Sequence, residues 1–182
     1  MPAFSLSERI LKFGDPTGGR PIVEKGQGRI QPDPAWAKAN LVWLDFPYPL
    51  PTAGGRMAKG CQCHRIIKTS LFNALYDLRN EGLQGLIHTF DGCFVPRHLG
   101  WNKARALSPH TWGMAVDLNA SAFPLNSPKQ QDDKLIKIMA RHGFGYGGNG
   151  PALTAMGKTA KLWHFTADPM HFEYCYRKKD GD

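Results

Sequence analysis

The chain has no apolar run near the roughly 20 residues that would cross a bilayer as a helix. Its first residues, Met1-Pro2-Ala3-Phe4-Ser5-Leu6-Ser7-Glu8-Arg9, lack the basic start and long apolar stretch of a secretion signal. The expectation is a protein made in the cytoplasm, with no transmembrane segment. Cysteine is scarce: Cys61, Cys63, Cys93 and Cys175 are too few, without a secretion signal, to read as a disulfide framework, and free thiols are expected. There is no internal repeat and no low-complexity segment. A concentrated basic arm is missing too. The net charge is +8, but residues 1–60, 61–120 and 121–182 carry +3, +2 and +3, and Arg177-Lys178-Lys179 is the one short basic cluster. Nucleic-acid binders concentrate charge beside reader motifs, so no nucleic-acid partner is expected. Diffuse positive charge suits polyanionic surfaces in general, a bacterial envelope among them.

What the chain does have is loop-forming residues. It has 20 glycines and 14 prolines in 182 residues, well above the usual combined share of about 12%. With 42% hydrophobic residues, this predicts one loop-rich α+β domain spanning 1–182, without disorder. We expect residues 1–60 to wrap a catalytic core at 60–175, because residues 14–62 hold few strong elements. Ser5-Leu6-Ser7-Glu8 has capping-box spacing and opens a short helix that stops at Gly14. Asp33-Pro34 reads as a cap followed by proline at the first helical position. The spacing of Ile67, Leu71, Leu75 and Leu78 predicts a helix over His64–Asn80. Ser127-Pro128-Lys129-Gln130 predicts the start of another, which carries Leu135, Ile138 and Met139 inward and ends at Gly143. Strands are expected at Leu86–Phe90, Ala115–Asn119 and His171–Tyr174, the last two with alternating polarity.

Two segments concentrate metal-ligand residue types: Ser108-Pro109-His110-Thr111-Trp112-Gly113-Met114-Ala115-Val116-Asp117 and Asp168-Pro169-Met170-His171-Phe172-Glu173. Each reads as a loop entering a strand, and if the strands pair, His110, Asp117 and His171 converge. Two neutral imidazoles and one carboxylate form the open shell of a catalytic zinc, with a fourth position left for water. A base must stand beside that position without ligating, and Asp168, one turn before His171, fits. A developing oxyanion calls for a further cation, for which Arg97 is the candidate and Arg105 its competitor.

The first segment resembles the S-x-H-x-x-G-x-A-x-D signature of zinc peptidases that cut peptidoglycan peptides. These are the D-Ala-D-Ala carboxypeptidases of the VanY type and the L-alanyl-D-glutamate endopeptidases used as phage endolysins. The second is similar to the closing D-x-M-H-F-E motif of the endolysin-like branch. The resemblance runs through Phe90-Asp91-Gly92-Cys93, Pro96-Arg97, Asp117-Leu118-Asn119, Asn126 and Gly143-Phe144-Gly145-Tyr146-Gly147-Gly148, and covers roughly residues 60–175. It implies one zinc on His110, Asp117 and His171, a base at Asp168 and carbonyl binding by Arg97. Tyr146-Gly147-Gly148, where relatives often carry Trp, and the long stretch Asn149–Trp163 depart from the pattern.

The expected activity is zinc-dependent hydrolysis of an amide bond in the peptidoglycan stem, acting at the cell wall or periplasm, by a monomer. Endopeptidase action of the endolysin type comes first and D-Ala-D-Ala carboxypeptidase action second. From a different class stands a zinc-bearing wall-binding module without turnover, which would need no base at Asp168. Trp112 and Met114 are expected to pack beside the site. Trp163 and Tyr174 are read equally as groove wall or core. His164 and His142 are read as structural, the latter at a helix C-terminus. Cys61-Gln62-Cys63-His64 with Cys93 is read as free thiols rather than a second zinc site.

Overall fold

A computed structural model describes residues 3–148 and 167–176. His164, all of Asn149–Trp163 and the Arg177-Lys178-Lys179 cluster lie outside the described residues. The fold is α+β, with small antiparallel sheets and four α-helices among the described residues. Helix α1 (Leu6–Phe13) has the expected capping box, with Ser5 and Glu8 each bonding the other's backbone, and ends at Gly14. Strands β1 (Val23–Glu24) and β2 (Ile30–Gln31) form a small ribbon. Asp33 caps helix α2 (Pro34–Asn40) through the Trp36 N–H.

Within residues 14–62, expected to hold few strong elements, a long hairpin of β3 (Leu41–Pro51) and β4 (Met57–His64) begins, running on to His64. Pro47, Pro49 and Pro51 disguise β3 as loop. The pairing shifts register between Asp45 and Leu50, and that irregularity accommodates prolines that cannot donate to the ladder.

Helix α3 (Lys68–Asn80) packs on β3 with Leu71, Ala74, Leu75 and Leu78 buried. It begins four residues later than the periodicity suggests, because His64 is committed to β4. There its N–H bonds the Gly113 carbonyl at 2.9 Å, and its ring bridges Phe13 O and Ile66 N. Helix α4 (Asp133–Arg141) likewise starts late, capped by Asp132 rather than Ser127. Ser127 closes a local turn on the Lys129 N–H, while the Gln131 N–H donates to Tyr146 Oη, so residues 127–131 are held by bonds a helix would break.

The central sheet runs β5 (Phe90–Gly92), β6 (Ala115–Leu118), β8 (His171–Tyr174), β7 (Phe144–Tyr146) in spatial order, antiparallel throughout. Leu86–Phe90 does not form the expected strand; Phe90 alone joins β5, and Gln84–Leu86 is a short 3-10 helix. The reason is Asn119, whose side-chain oxygen accepts from the His88 and Thr89 N–H groups at 2.6 and 3.0 Å. Its amide donates to Leu86 O and to Gln131 Oε1 at 2.8 and 2.9 Å. One side chain thus replaces a length of ladder. Trp112, Met114, Val116, Phe144, Tyr146 and Phe172 are fully buried around this sheet, each contributing about 1.5–3 kcal/mol of hydrophobic stabilisation. That core makes the sheet a rigid floor for the residues at its β6–β8 end.

Candidate metal centre and active site

His110 lies on a 3-10 turn, Pro109–Trp112, that closes at Gly113 in the left-handed region, φ +64°. A Cβ on Gly113 would stand 3.0 Å from the His64 backbone nitrogen, so the residue must be glycine for the turn to reach β4. His110 is 1% exposed, and its Nδ1 meets the Cys93 carbonyl at 2.9 Å. A carbonyl only accepts, so Nδ1 carries the proton and the lone pair of Nε2 points away from it.

Nε2 of His110 lies 3.2 Å from His171 Nδ1 and 3.1 Å from Asp117 Oδ2. Asp117 and His171 are direct cross-strand partners in β6 and β8, with Oδ1 and Nδ1 3.0 Å apart. The three ligand atoms all lie within 4.8 Å of one another, the arrangement a single metal ion requires. Among the described residues this is the one group of three or more such side chains that meets that spacing.

The electrostatics fit a cation. Burial works against a charged imidazole at His171, yet Asp117 and Glu173 outweigh it and raise its pKa to about 10. Burial also opposes ionisation of Asp117, but the two histidines hold its carboxyl far below the usual range.

Behind His171 lies a buried acidic group. His171 Nε2 stands 3.6 Å from Glu173 Oε2, and Glu173, wholly buried, meets Arg9 of α1 at 3.3 Å. Such a carboxylate behind an imidazole orients the ring and sets which nitrogen faces the metal. Sequence reasoning assigned Glu173 no role, although its place two residues after His171 on one strand puts both on one face. Nothing in the sequence pointed to Arg9.

Asp168 occupies a turn closed by the His171 N–H on the Asp168 carbonyl, 3.0 Å, with Pro169 preset for the bend. Its own N–H bonds Gly147 O at 3.0 Å, and a Cβ on Gly147 would sit 2.5 Å from the Asp168 carbonyl oxygen. The Asp168 Oδ1 is buried without a hydrogen-bond partner among the described residues. Burial raises its pKa, against the attraction of His171, which moves a carboxyl toward the range useful for proton transfer.

Arg97 is pinned to the His110 turn: its N–H bonds Thr111 Oγ1 at 3.0 Å, and that hydroxyl donates back to Arg97 O at 2.8 Å. Its guanidinium donates to Ser108 Oγ at 2.7 Å, lies 3.9 Å from Asp117 Oδ2 and stacks 5.0 Å over the Trp101 ring. Ser108 was given no role from sequence beyond its place in the motif. Here it joins Arg97 to the turn that carries His110. His110, Asp117, His171, Asp168 and Arg97 all line one cavity of about 230 Å³, together with Trp101, Arg105, Leu125 and Met170.

Residues 101–151 match the family model described as D-alanyl-D-alanine carboxypeptidase, of peptidase family M15. Over this segment the chain resembles the M15 metallopeptidases. The matched segment holds His110 and Asp117, while Asp168 and His171 follow it in the chain and join them through the β6–β8 pairing. Comparison with curated proteins and with solved structures returns no match.

Elsewhere in the protein the subsidiary expectations divide. Trp112 and Met114 are core residues, and Trp112 Nε1 donates to Gly14 O at 2.8 Å. Tyr174 packs edge-to-face on Phe144 rather than facing the cavity. His142 sits at the C-terminus of α4, where it also meets Asp77 at 2.7 Å. Cys61, Cys63 and Cys93 are free thiols, and all four cysteines are buried. The part Cys93 plays at the site is through its backbone, as the acceptor that selects the His110 tautomer. No helix among the described residues is long and apolar enough to cross a membrane.

Proposed function

We propose that the protein is a zinc enzyme of the M15 type that cuts the peptidoglycan stem as an L-alanyl-D-glutamate endopeptidase, with His110 Nε2, Asp117 and His171 Nδ1 as metal ligands. The observation that carries the reading is the convergence of three ligand atoms within 4.8 Å, beside the buried, unbonded Asp168 Oδ1 in the same cavity. Two imidazoles and one carboxylate match the ligand set of a catalytic zinc and leave a position open. Bound there, zinc supplies a Lewis acid that acidifies water and polarises a carbonyl. Asp168 takes the proton of the attacking water and later delivers it to the leaving amine. Arg97, held by Ser108 and Trp101, points its guanidinium at the charge that develops on the carbonyl oxygen. Asp168 also speaks against a binding module, which would gain nothing from a buried carboxylate without a bonding partner.

The preference for the endopeptidase rests on the D-x-M-H-F-E form of the closing motif. D-Ala-D-Ala carboxypeptidase action is the second reading, favoured by the description of the matching family. Either activity would be exerted at the bacterial cell wall, by a monomer. The test is digestion of purified peptidoglycan by the zinc-loaded protein, with and without chelator, followed by mass analysis. A new amino terminus on D-glutamate supports the endopeptidase, and release of terminal D-alanine alone supports the carboxypeptidase. Absence of cleavage by protein with one zinc bound overturns both in favour of the binding module.

A further inference from the structure

Resting on this reading of the cavity as a peptidase site, we infer that Arg105 is its carboxylate receptor. It takes the α-carboxylate of the substrate residue whose amine departs. The cavity wall carries two guanidinium groups, and they differ in what engages them. Arg97 is occupied by Ser108, Asp117 and Trp101. The Arg105 guanidinium makes no hydrogen bond or ion pair among the described residues, although it lines the same cavity as Asp168 and the three ligands. Asp117 and Asp168 balance the two arginines, so a divalent ion leaves the cavity with surplus positive charge. An anionic substrate group answers that surplus.

The position of Arg105 is built rather than accidental. Residues 97–108 form a hairpin-like loop, closed by Ser108 N to Arg97 O and Leu99 N to Ala106 O, each 2.9 Å. The Arg105 carbonyl accepts from His98 Nδ1 at 2.6 Å, and the other nitrogen of that ring is 3.0 Å from Glu24. On the opposite arm Gly100 adopts φ +59°, and a Cβ there would stand 3.4 Å from Arg105 Nη1. The guanidinium therefore lies across the glycine turn, with its backbone anchored and its donors uncommitted. A planar fork so placed suits bidentate binding of a carboxylate.

The chemistry of the two candidate bonds points to the same group. In the stem, D-glutamate is linked onward through its side chain, so cleavage of L-Ala–D-Glu frees an amine whose carbon also bears a carboxylate. Cleavage of D-Ala–D-Ala frees an amine with the same neighbour. Arg105 reads that shared feature, whichever bond is cut.

The experiment compares wild type, Arg105→Gln and Arg105→Lys, all zinc-loaded, on paired synthetic stem peptides. One pair holds D-glutamate against D-isoglutamine, the other a D-Ala-D-Ala terminus against its amide. Loss of a charge-assisted bidentate contact corresponds to about 10–100-fold. Wild type should therefore prefer the free acid of whichever pair it cleaves, and Arg105→Gln should cut that kcat/KM preference about 10–100-fold, mainly through KM, with Arg105→Lys between them. An unchanged preference in Arg105→Gln overturns the inference. The same peptides are titrated calorimetrically, so that a protein with no turnover, which would sink the peptidase reading, still reports on Arg105. Equal affinity of wild type for acid and amide forms also overturns it.

Discussion

Asp117 and His171 face one another as direct partners across the β6–β8 ladder, with Oδ1 and Nδ1 3.0 Å apart. Residues 54 positions apart are thus joined by strand register alone. A slip of one residue would turn one of the two to the opposite face and dismantle the site. The candidate metal site is therefore as well defined as the core beneath it, where Val116 and Phe172 form the next pair and are both buried.

Replacing Asp168 should separate chemistry from metal binding. Asp168→Asn is expected to lower kcat by about 10²–10⁴-fold while the protein keeps one zinc, read by turnover and metal analysis on the same sample. Its Oδ1 has no hydrogen bond to lose, so the melting temperature should not fall. Loss of zinc in this variant would make Asp168 a ligand rather than a base.

Glu173 should act on the metal through His171. Glu173→Gln is expected to weaken zinc affinity about 10–100-fold, measured by chelator competition. Arg9→Met strands the buried Glu173 carboxylate and should destabilise the fold by about 3–5 kcal/mol in denaturant unfolding. The double variant Arg9→Met/Glu173→Gln should recover part of that loss, which a purely steric role for Arg9 would not allow.

Stability should fall on acidification through His64. Its Nε2–H donates to Phe13 O, its Nδ1 accepts from the Ile66 N–H, and burial lowers its pKa to about 4. The unfolded chain takes up this proton near pH 6.5, the folded one only near 4. Stability is thus full above about pH 6.5 and declines as pH falls toward 4, by up to about 3 kcal/mol from this group. Denaturant unfolding from pH 7.5 to 4 should show the decline, and His64→Gln should flatten that part of it.

Asn119→Ala removes the side chain that stands in for a strand beside residues 86–89. Four buried hydrogen bonds are lost, and the expected cost is about 3 kcal/mol. Hydrogen exchange should speed up at the His88 and Thr89 amides first. Because Asn119 has φ +60°, Asn119→Gly should relieve the backbone yet still lose most of this stability, which distinguishes the bonds from the turn conformation.

Much of the scaffold is legible locally. The caps at Ser5 and Asp33, the apolar face of α3 and the alternation in β6 and β8 are short-range patterns, and the structure follows them. Three of the failures share one cause. Leu86–Phe90, the start of α4 and the start of α3 depend on Asn119, Tyr146 and the Gly113 carbonyl, partners from distant parts of the chain. Tertiary hydrogen bonds there outweigh local propensity. The β3–β4 hairpin was hidden by prolines that an irregular ladder can accommodate.

The site divides in the same way. By itself the sequence determined which residue types are available for a metal and a base, because His110, Asp117, Asp168 and His171 sit in two compact motifs whose spacing reflects loop and strand geometry. Only the tertiary structure decided which nitrogen of each histidine faces the Asp117 carboxylate, since that depends on the Cys93 carbonyl behind one ring and Glu173 behind the other. It alone decided that the Arg97 guanidinium is engaged while that of Arg105 makes no hydrogen bond or ion pair among the described residues, because hydrogen bonds and charge act through space rather than along the chain.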